Sequence, residues 1–380
     1  MHSAFSRFSP IVVFLFITSA GFANDGVFKA NGNHLIPMYE TDISVRKEIL
    51  TIRRSGTGSA QITVYYEFFN PKEDKTVEVG FEAFSPSGDI HVDPDPDGQP
   101  FISNFTVQLN GAAVPYHVTI VEDSLYYRNG KYKALPMAKA IQETKDEEAV
   151  DFFYVYHFRA LFKKGINIIK HTYAVDLSSS VEDIYSLSYV LTGAKRWANR
   201  QIDDFTLQID MGDFQDLALP ATFFDRASEW AVDGVGKGVE IKGEDDTSHM
   251  AQFFVRKGML TYKKLNFRPA GELYLTSYNS YYYYQKSRKL HPELEGGGFD
   301  YKTCFLPFSI EAEDGISDAN DELSKKIKRN LPFARRGYVF KSPELRSYYE
   351  RQPWYMPDPA YTPVEAELTK KEQEWLNHKF

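Results

Sequence analysis

Between Ile43 and Tyr278 the chain alternates apolar with polar residues over short runs, rich in β-branched and aromatic side chains and cut by Gly, Asn, Asp and Pro. A period of two marks half-buried strands, and runs this short and this closely spaced predict antiparallel sheets packed face to face. The predicted strands are residues 43–52, 60–69, 76–84, 104–109, 114–121, 153–162, 167–175, 184–191, 205–210, 250–255 and 273–277. Turn residues separate them at Gly56-Thr57-Gly58, Asn70-Pro71, Asn110-Gly111 and Lys164-Gly165. Asn110-Gly111 is a good two-residue hairpin turn, because both positions take positive φ cheaply. Too little helical pattern lies between the strands for parallel βαβ units.

Two stretches interrupt the body. Residues 133–148 read as a short helix or mobile loop, and the Gly- and Asp-rich residues 234–248 as a long exposed loop. Residues 311–320 turn acidic and polar, which marks a linker. Beyond them the period becomes helical over residues 316–336, 343–351 and 369–375. Thr369 with Glu372 makes a capping box, and Ser342-Pro343 supplies an N-cap and an N1 proline. The expected fold is therefore mainly β, a sandwich-like antiparallel body over residues 24–310 with room for two subdomains, and a small all-α domain over residues 317–380.

The N-terminus reads as a processing signal. Arg7 precedes an apolar run from Ile11 to Ile17, and small residues lead to Ala23 with Gly21 at the minus-three position. This is the layout of a secretory signal peptide, residues 1–23, cleaved after Ala23 and too short to span a membrane. No Cys follows that point and no later run of about eighteen apolar residues occurs, so the expectation is an exported chain, periplasmic or extracellular, with neither lipid nor transmembrane anchor. The one cysteine, Cys304, cannot form an intramolecular disulfide and reads as a small buried hydrophobe. A formal net charge of −8 removes the bulk attraction that dominates nucleic-acid binding, so no nucleic-acid partner is expected.

Other candidate chemistry is sparse. Asp93, Asp95 and Asp97 with Gly98 have the DxDxDG spacing of a calcium loop, but Asn104 holds the twelfth position and two prolines stiffen the entry, so a solvated turn competes. The run from Tyr278 to Tyr284 offers either an exposed ring platform or a strand filling both faces of a sheet. His157 and His171 lie on the two arms of a hairpin turning near Lys164-Gly165; in one register they face each other, where a metal or acid–base role would need a third partner such as an Asp, a one-residue slip separates them, and both read as structural. Asp203 and Asp204 are adjacent in a strand and point to opposite faces. No HExxH, GxSxG or P-loop occurs, and Gly234, Gly236 and Gly238 fail the dinucleotide spacing. No catalytic residue, metal or cofactor is assigned.

The tail carries Arg329-Asn330, then FARRGYVF from Phe333 to Phe340, Leu345, Tyr348-Tyr349, Trp354-Tyr355, and Leu368 with Glu372. In that order these pieces resemble the YARHG domain of bacterial extracytoplasmic proteins. Phe333 stands for the name-giving Tyr and Arg336 for the His, which removes any role that needs a phenol or an imidazole there. The resemblance implies an extracytoplasmic protein, sometimes beside peptidases, and brings no established molecular role. The residues themselves support two readings. In one, Gly337 closes a helix over an aromatic core, with Arg335 and Arg336 suited to its C-terminal dipole. In the other, Arg329, Arg335, Arg336, Trp354 and Tyr355 form a surface for anionic glycans or carboxylates.

Asn24-Asp25 and the body pieces VYYEFFNP (residues 64–71), YVLTGAKRW (189–197), IDDF (202–205) and LNFRP (265–269) resemble an uncharacterised family of secreted bacterial β proteins, which implies an exported sandwich and brings no known activity. The functional expectation is non-catalytic recognition or assembly at the cell envelope, with a glycan or protein partner. A hydrolase acting on envelope polymers and a purely structural secreted component are the alternatives. The reading leans away from an enzyme and leaves the oligomeric state open.

Overall fold

The computed structural model describes residues 31–39, 41–85, 92–122, 126–146, 152–242, 249–292, 298–312 and 319–380. The expected signal peptide and its cleavage point lie outside the described residues, as do residues 313–318 of the expected linker. The strands in chain order are β1 (Asn31–Asn33), β2 (Ile36–Pro37), β3 (Ser44–Ser55), β4 (Ser59–Asn70), β5 (Lys75–Phe84), β6 (Ile102–Leu109), β7 (Ala112–Ala113), β8 (His117–Val121), β9 (Tyr127–Arg128) and β10 (Lys131–Tyr132). After helix α1 (Met137–Asp146) come β11 (Phe153–Phe162), β12 (Gly165–Asp176), β13 (Asp183–Val190), β14 (Ile202–Asp210), β15 (Gln215–Pro220), β16 (Trp230–Lys242), β17 (His249–Phe267) and β18 (Leu273–Tyr278). Helices α2 (Ser280–Leu290), α3 (Glu322–Arg335), α4 (Pro343–Glu350) and α5 (Lys370–Asn377) follow.

The protein is mainly β, with its helices mostly at the C-terminus. A large mixed sheet runs β1-β13-β18-β15-β17-β14-β3-β4-β12-β6-β7, with β16 added along β17, and a smaller antiparallel sheet runs β2-β5-β11-β8. Two pairings in the large sheet, β1 with β13 and β3 with β14, are parallel. Strict alternation of buried and partly exposed residues along β4 sends Ile62, Val64, Tyr66 and Phe68 to one face. There they meet the inner face of the small sheet: Phe68 lies edge-on to Phe162 at 5.6 Å, and Phe81 stands 5.1 Å from Tyr173. This interleaving of two sheet faces is the sandwich expected from the period-two pattern. Asn110 and Gly111, both at positive φ, form the two-residue turn between β6 and β7.

Three local expectations are corrected. The 153–162 and 167–175 runs do not form a hairpin ladder, because β11 belongs to the small sheet and β12 to the large one, so the chain crosses between layers at Gly165. Residues 234–242 of the expected loop are the body of β16; a side chain at Gly234 or Gly258 would collide with the carbonyl of the opposite strand, and one at Gly238 would meet the Phe253 ring. Those glycines permit close approach of two backbones rather than a loop. At this point β17 changes partner along one edge, from β15 over Met250–Val255 to β14 over Leu260–Phe267, which turns the sheet. The tyrosine run is helical: the Asn279 side chain accepts the N–H groups of Tyr281 and Tyr282 and starts α2.

The helical tail has its own aromatic core of Ile327, Leu331, Phe340, Tyr348, Tyr349, Trp354 and Trp375, and Phe254 of β17 and the segment around Phe299, Leu306 and Phe308 fill the same core. Pro332 sits inside α3 without breaking it. A proline has no N–H to give the carbonyl four residues back. That carbonyl, on Lys328, instead accepts the indole N–H of Trp375 at 2.8 Å, which ties α5 to α3. Among the described residues no helix is long and apolar enough to cross a membrane.

Candidate functional site

In the tail, the residues singled out from sequence serve mostly to join elements. Arg335 is buried, and its guanidinium donates to the carbonyls of Pro307 at 3.0 Å and Ser309 at 2.9 Å, strapping residues 307–309 to the end of α3. Arg336 makes two bonds to the Glu372 carboxylate at 2.6 and 2.9 Å and lies 4.8 Å from the Phe214 ring centroid. Burial pushes the Glu372 carboxyl up, but the Arg336 bonds and the Thr369 N–H outweigh it and hold the group below its usual value. Trp354 donates its indole N–H to Leu306 O at 2.8 Å, and the Tyr355 hydroxyl donates to Tyr338 O at 2.6 Å. Gly337 has φ near 90°, and any side chain there would strike the Met356 carbonyl. Arg329 alone of the five faces out, into a groove of about 590 Å³ beside Asn330, Phe333 and Gln373.

The body holds a different concentration of positive charge. A groove of about 870 Å³ is lined by Lys195, Arg196, Arg200 and Arg268 together with Tyr39, Thr41 and Asn199, and none of its described lining residues is acidic. The loop that supplies most of it is rigid. The Glu272 carboxylate accepts the N–H groups of Leu191 and Thr192 at 2.6 and 3.0 Å, capping the 3-10 turn Thr192–Arg196. Trp197 then plugs the sandwich, 1% exposed, with its indole N–H on Leu35 O at 2.8 Å and its ring 4.4 Å from Phe68. Asn199 clasps the backbone of Val45 from both sides, accepting its N–H at 3.2 Å and donating to its carbonyl at 2.9 Å. Arg200 takes φ of 50°, a left-handed conformation uncommon outside glycine.

With the indole and carboxamide committed inward, the flanking cations Lys195, Arg196 and Arg200 are exposed. Arg196 makes an ion pair with Glu82 at 3.3 Å, and Arg268 donates to Gln201 at 3.0 Å. Lys195 and Arg200 form no ion pair among the described residues. Asp203, which accepts from the groove residue Asn199 at 3.1 Å, also bonds Arg46 at 2.7 Å, and Asp204 faces Lys47 at 3.0 Å. This groove was not singled out from sequence. Lys195 and Arg196 lie within YVLTGAKRW and Arg268 within LNFRP, but a lysine and three arginines divided between two distant loops carry no spacing signal of their own.

The remaining candidates lie apart from both grooves. Asp95 accepts the Asp97 N–H at 2.8 Å, closing a tight turn in which Asp93, Asp95 and Asp97 all remain exposed. Among the described residues no three His, Cys, Asp or Glu side chains come together as a metal would need. His157 bonds Glu78 at 2.9 Å and Thr119 at 3.1 Å under the Tyr132 ring. His171 is wholly buried among Tyr66, Phe81, Phe105 and Tyr173, and burial pushes its imidazole down to about 3, so it is neutral at any ordinary pH.

Residues 313–379 match the YARHG domain, so the chain carries that domain at its C-terminus. No curated protein matches the chain. Among solved structures, a Legionella pneumophila protein provisionally described as a nutrient binding protein is similar at 16% identity over 93% of this chain and 98% of its own, with a TM-score of 0.48. An M1 zinc metallopeptidase from Deinococcus radiodurans is similar at 10% identity over 62% of this chain and 42% of its own, with a TM-score of 0.22. Baculovirus P35 is similar at 12% identity over 64% of this chain and 98% of its own, with a TM-score of 0.26.

Proposed function

We propose that this is an exported, non-catalytic recognition protein of the bacterial cell envelope, whose body captures an anionic group in the groove of Lys195, Arg196, Arg200 and Arg268, with the YARHG domain packed against β17. The observation that carries the reading is a concave surface with four cations and no acidic lining residue among those described, held by a loop whose inward side chains are fixed. Arginine and lysine set this way suit carboxylate or phosphate, and pre-organisation lowers the entropic cost of binding. Export is supported by the apolar segment after Arg7 and by the company that YARHG domains keep.

Equilibrium dialysis of the full chain against inorganic phosphate tests the anion site. Saturable binding is expected, weakening as sodium chloride is raised because exposed charges are screened over about 10 Å at 0.1 M. Lys195→Glu with Arg200→Glu should abolish it. Unaltered binding by that double variant would remove the groove from consideration.

A further inference from the structure

We infer that the anionic group recognised in this groove belongs to a saccharide, whose ring lies on Tyr39 while its charge meets Lys195, Arg200 and Arg268. The inference rests on the anion-binding reading above and adds the chemistry of the rest of the ligand. Tyr39 lines the same groove as the four cations. It is the exposed aromatic ring among the groove's described residues, 44% exposed, whereas Trp197 is fully inside. Its ring is not free to swing. The hydroxyl donates to Thr76 O at 3.0 Å, and one face stacks on Tyr127 with centroids 6.5 Å apart and planes 20° from parallel. The exposed part of the residue lines the groove.

An aromatic ring fixed at both its hydroxyl and one face offers contact area with little rotamer entropy left to lose. Beside it stand planar guanidinium groups suited to a carboxylate or phosphate. The Thr41 hydroxyl accepts from Ile43 N at 3.3 Å, which leaves its own proton for a sugar oxygen at the groove wall. A flat apolar face, a hydroxyl donor and adjacent cations together describe a pyranose bearing an acidic substituent. A nucleotide would also offer a flat ring and a phosphate. Binding of nucleic-acid strands, however, uses several stacking rings and a positive field, whereas this chain carries a net charge of −8 and one exposed ring among the described residues of the groove.

The test is calorimetric titration of the full chain with trigalacturonate, maltotriose, inorganic phosphate and AMP. Trigalacturonate is expected to bind at least tenfold more tightly than each of the others. Tyr39→Ala should weaken trigalacturonate tenfold or more and leave phosphate unchanged, while Tyr39→Phe, which keeps the ring but loses its anchor on Thr76 O, should bind more tightly than Tyr39→Ala and more weakly than wild type. Lys195→Glu with Arg200→Glu should remove both. Trigalacturonate no tighter than phosphate, equal trigalacturonate affinity in Tyr39→Ala, or tighter AMP would each overturn the saccharide and leave the anion site standing. Phosphate binding untouched by the charge reversals would instead overturn the anion site itself.

Discussion

Two basic clusters in this chain have similar side chains and opposite uses. At the end of α3, Arg335 and Arg336 direct their guanidinium groups inward, to the Pro307 and Ser309 carbonyls and to Glu372. In the 192–200 loop the inward positions belong to Trp197 and Asn199, and Lys195, Arg196 and Arg200 are left on the outside of the same short segment. The contrast shows that a run of cations in sequence says nothing about its address. What decides it is whether neighbouring residues already supply the anchors. In the tail the arginines are the anchors, and in the body an indole and a carboxamide take that part and release the charge to the groove.

The comparison breaks most easily at Arg336. Its partner Glu372 is 3% exposed, so Arg336→Ala leaves a buried carboxylate without its cation. Removing one member of such a pair costs about 3–5 kcal/mol. Urea unfolding should show a loss of that order. A change as small as that of a surface substitution would mean that the tail arginine is not an anchor.

A second way to sharpen it is through pH, because the chain buries another carboxylate with no such partner. Asp216 of β15 is fully enclosed, and burial pushes it up to about 6 although the Tyr283 hydroxyl and the Gln252 amide, at 2.7 Å, both favour the ionised form and Lys286 adds a favourable charge nearby. A carboxyl whose folded value is raised stabilises the fold below its unfolded value and loses that contribution as pH rises through the folded one. Stability should therefore fall by about 2 kcal/mol between pH 4.5 and 7.5 on account of Asp216. Asp216→Asn should remove that part of the slope, measured as the difference from wild type across the same range. Glu372, held low by Arg336, has the opposite sign and weakens the tail only as pH falls.

The smallest effect on stability belongs to the body cluster. Lys195→Glu with Arg200→Glu removes no internal bond, and surface substitutions of this kind change stability by less than about 0.5 kcal/mol. An unchanged urea midpoint is expected, and a large shift would mean that these cations are anchors after all.

Much of the architecture was legible because burial imposes a period of two. The β3, β4, β5, β11 and β12 segments were each recognised with ends shifted by no more than a few residues. The misses have a common cause, since they occur where tertiary contacts reverse the meaning of a residue. Gly234, Gly236 and Gly238 look like loop residues but exist because Lys257, Phe254 and Phe253 occupy the space a side chain would need. Asn279 ends a strand by capping α2, and the tyrosines after it are then read at helical rather than strand spacing. In the tail, sequence fixed Gly337, the capping box at Thr369 and the aromatic core, but it left open which way Arg335 and Arg336 faced. The groove was the least legible feature. Arg268 is separated from Lys195 by several strands, and the pairing of β14 with β17, Ile202 opposite Phe267, brings LNFRP to the loop that follows YVLTGAKRW.

The central claim is the exchange of roles between the two clusters, and one crossed measurement addresses it. Phosphate affinity and urea midpoint are measured together for wild type, for Lys195→Ala with Arg200→Ala, and for Arg336→Ala held well below its unfolding midpoint. The account predicts that the body variant loses phosphate binding at wild-type stability, while Arg336→Ala loses stability and binds phosphate with wild-type affinity. A body variant that binds normally, beside a folded Arg336→Ala chain that does not bind, would contradict it.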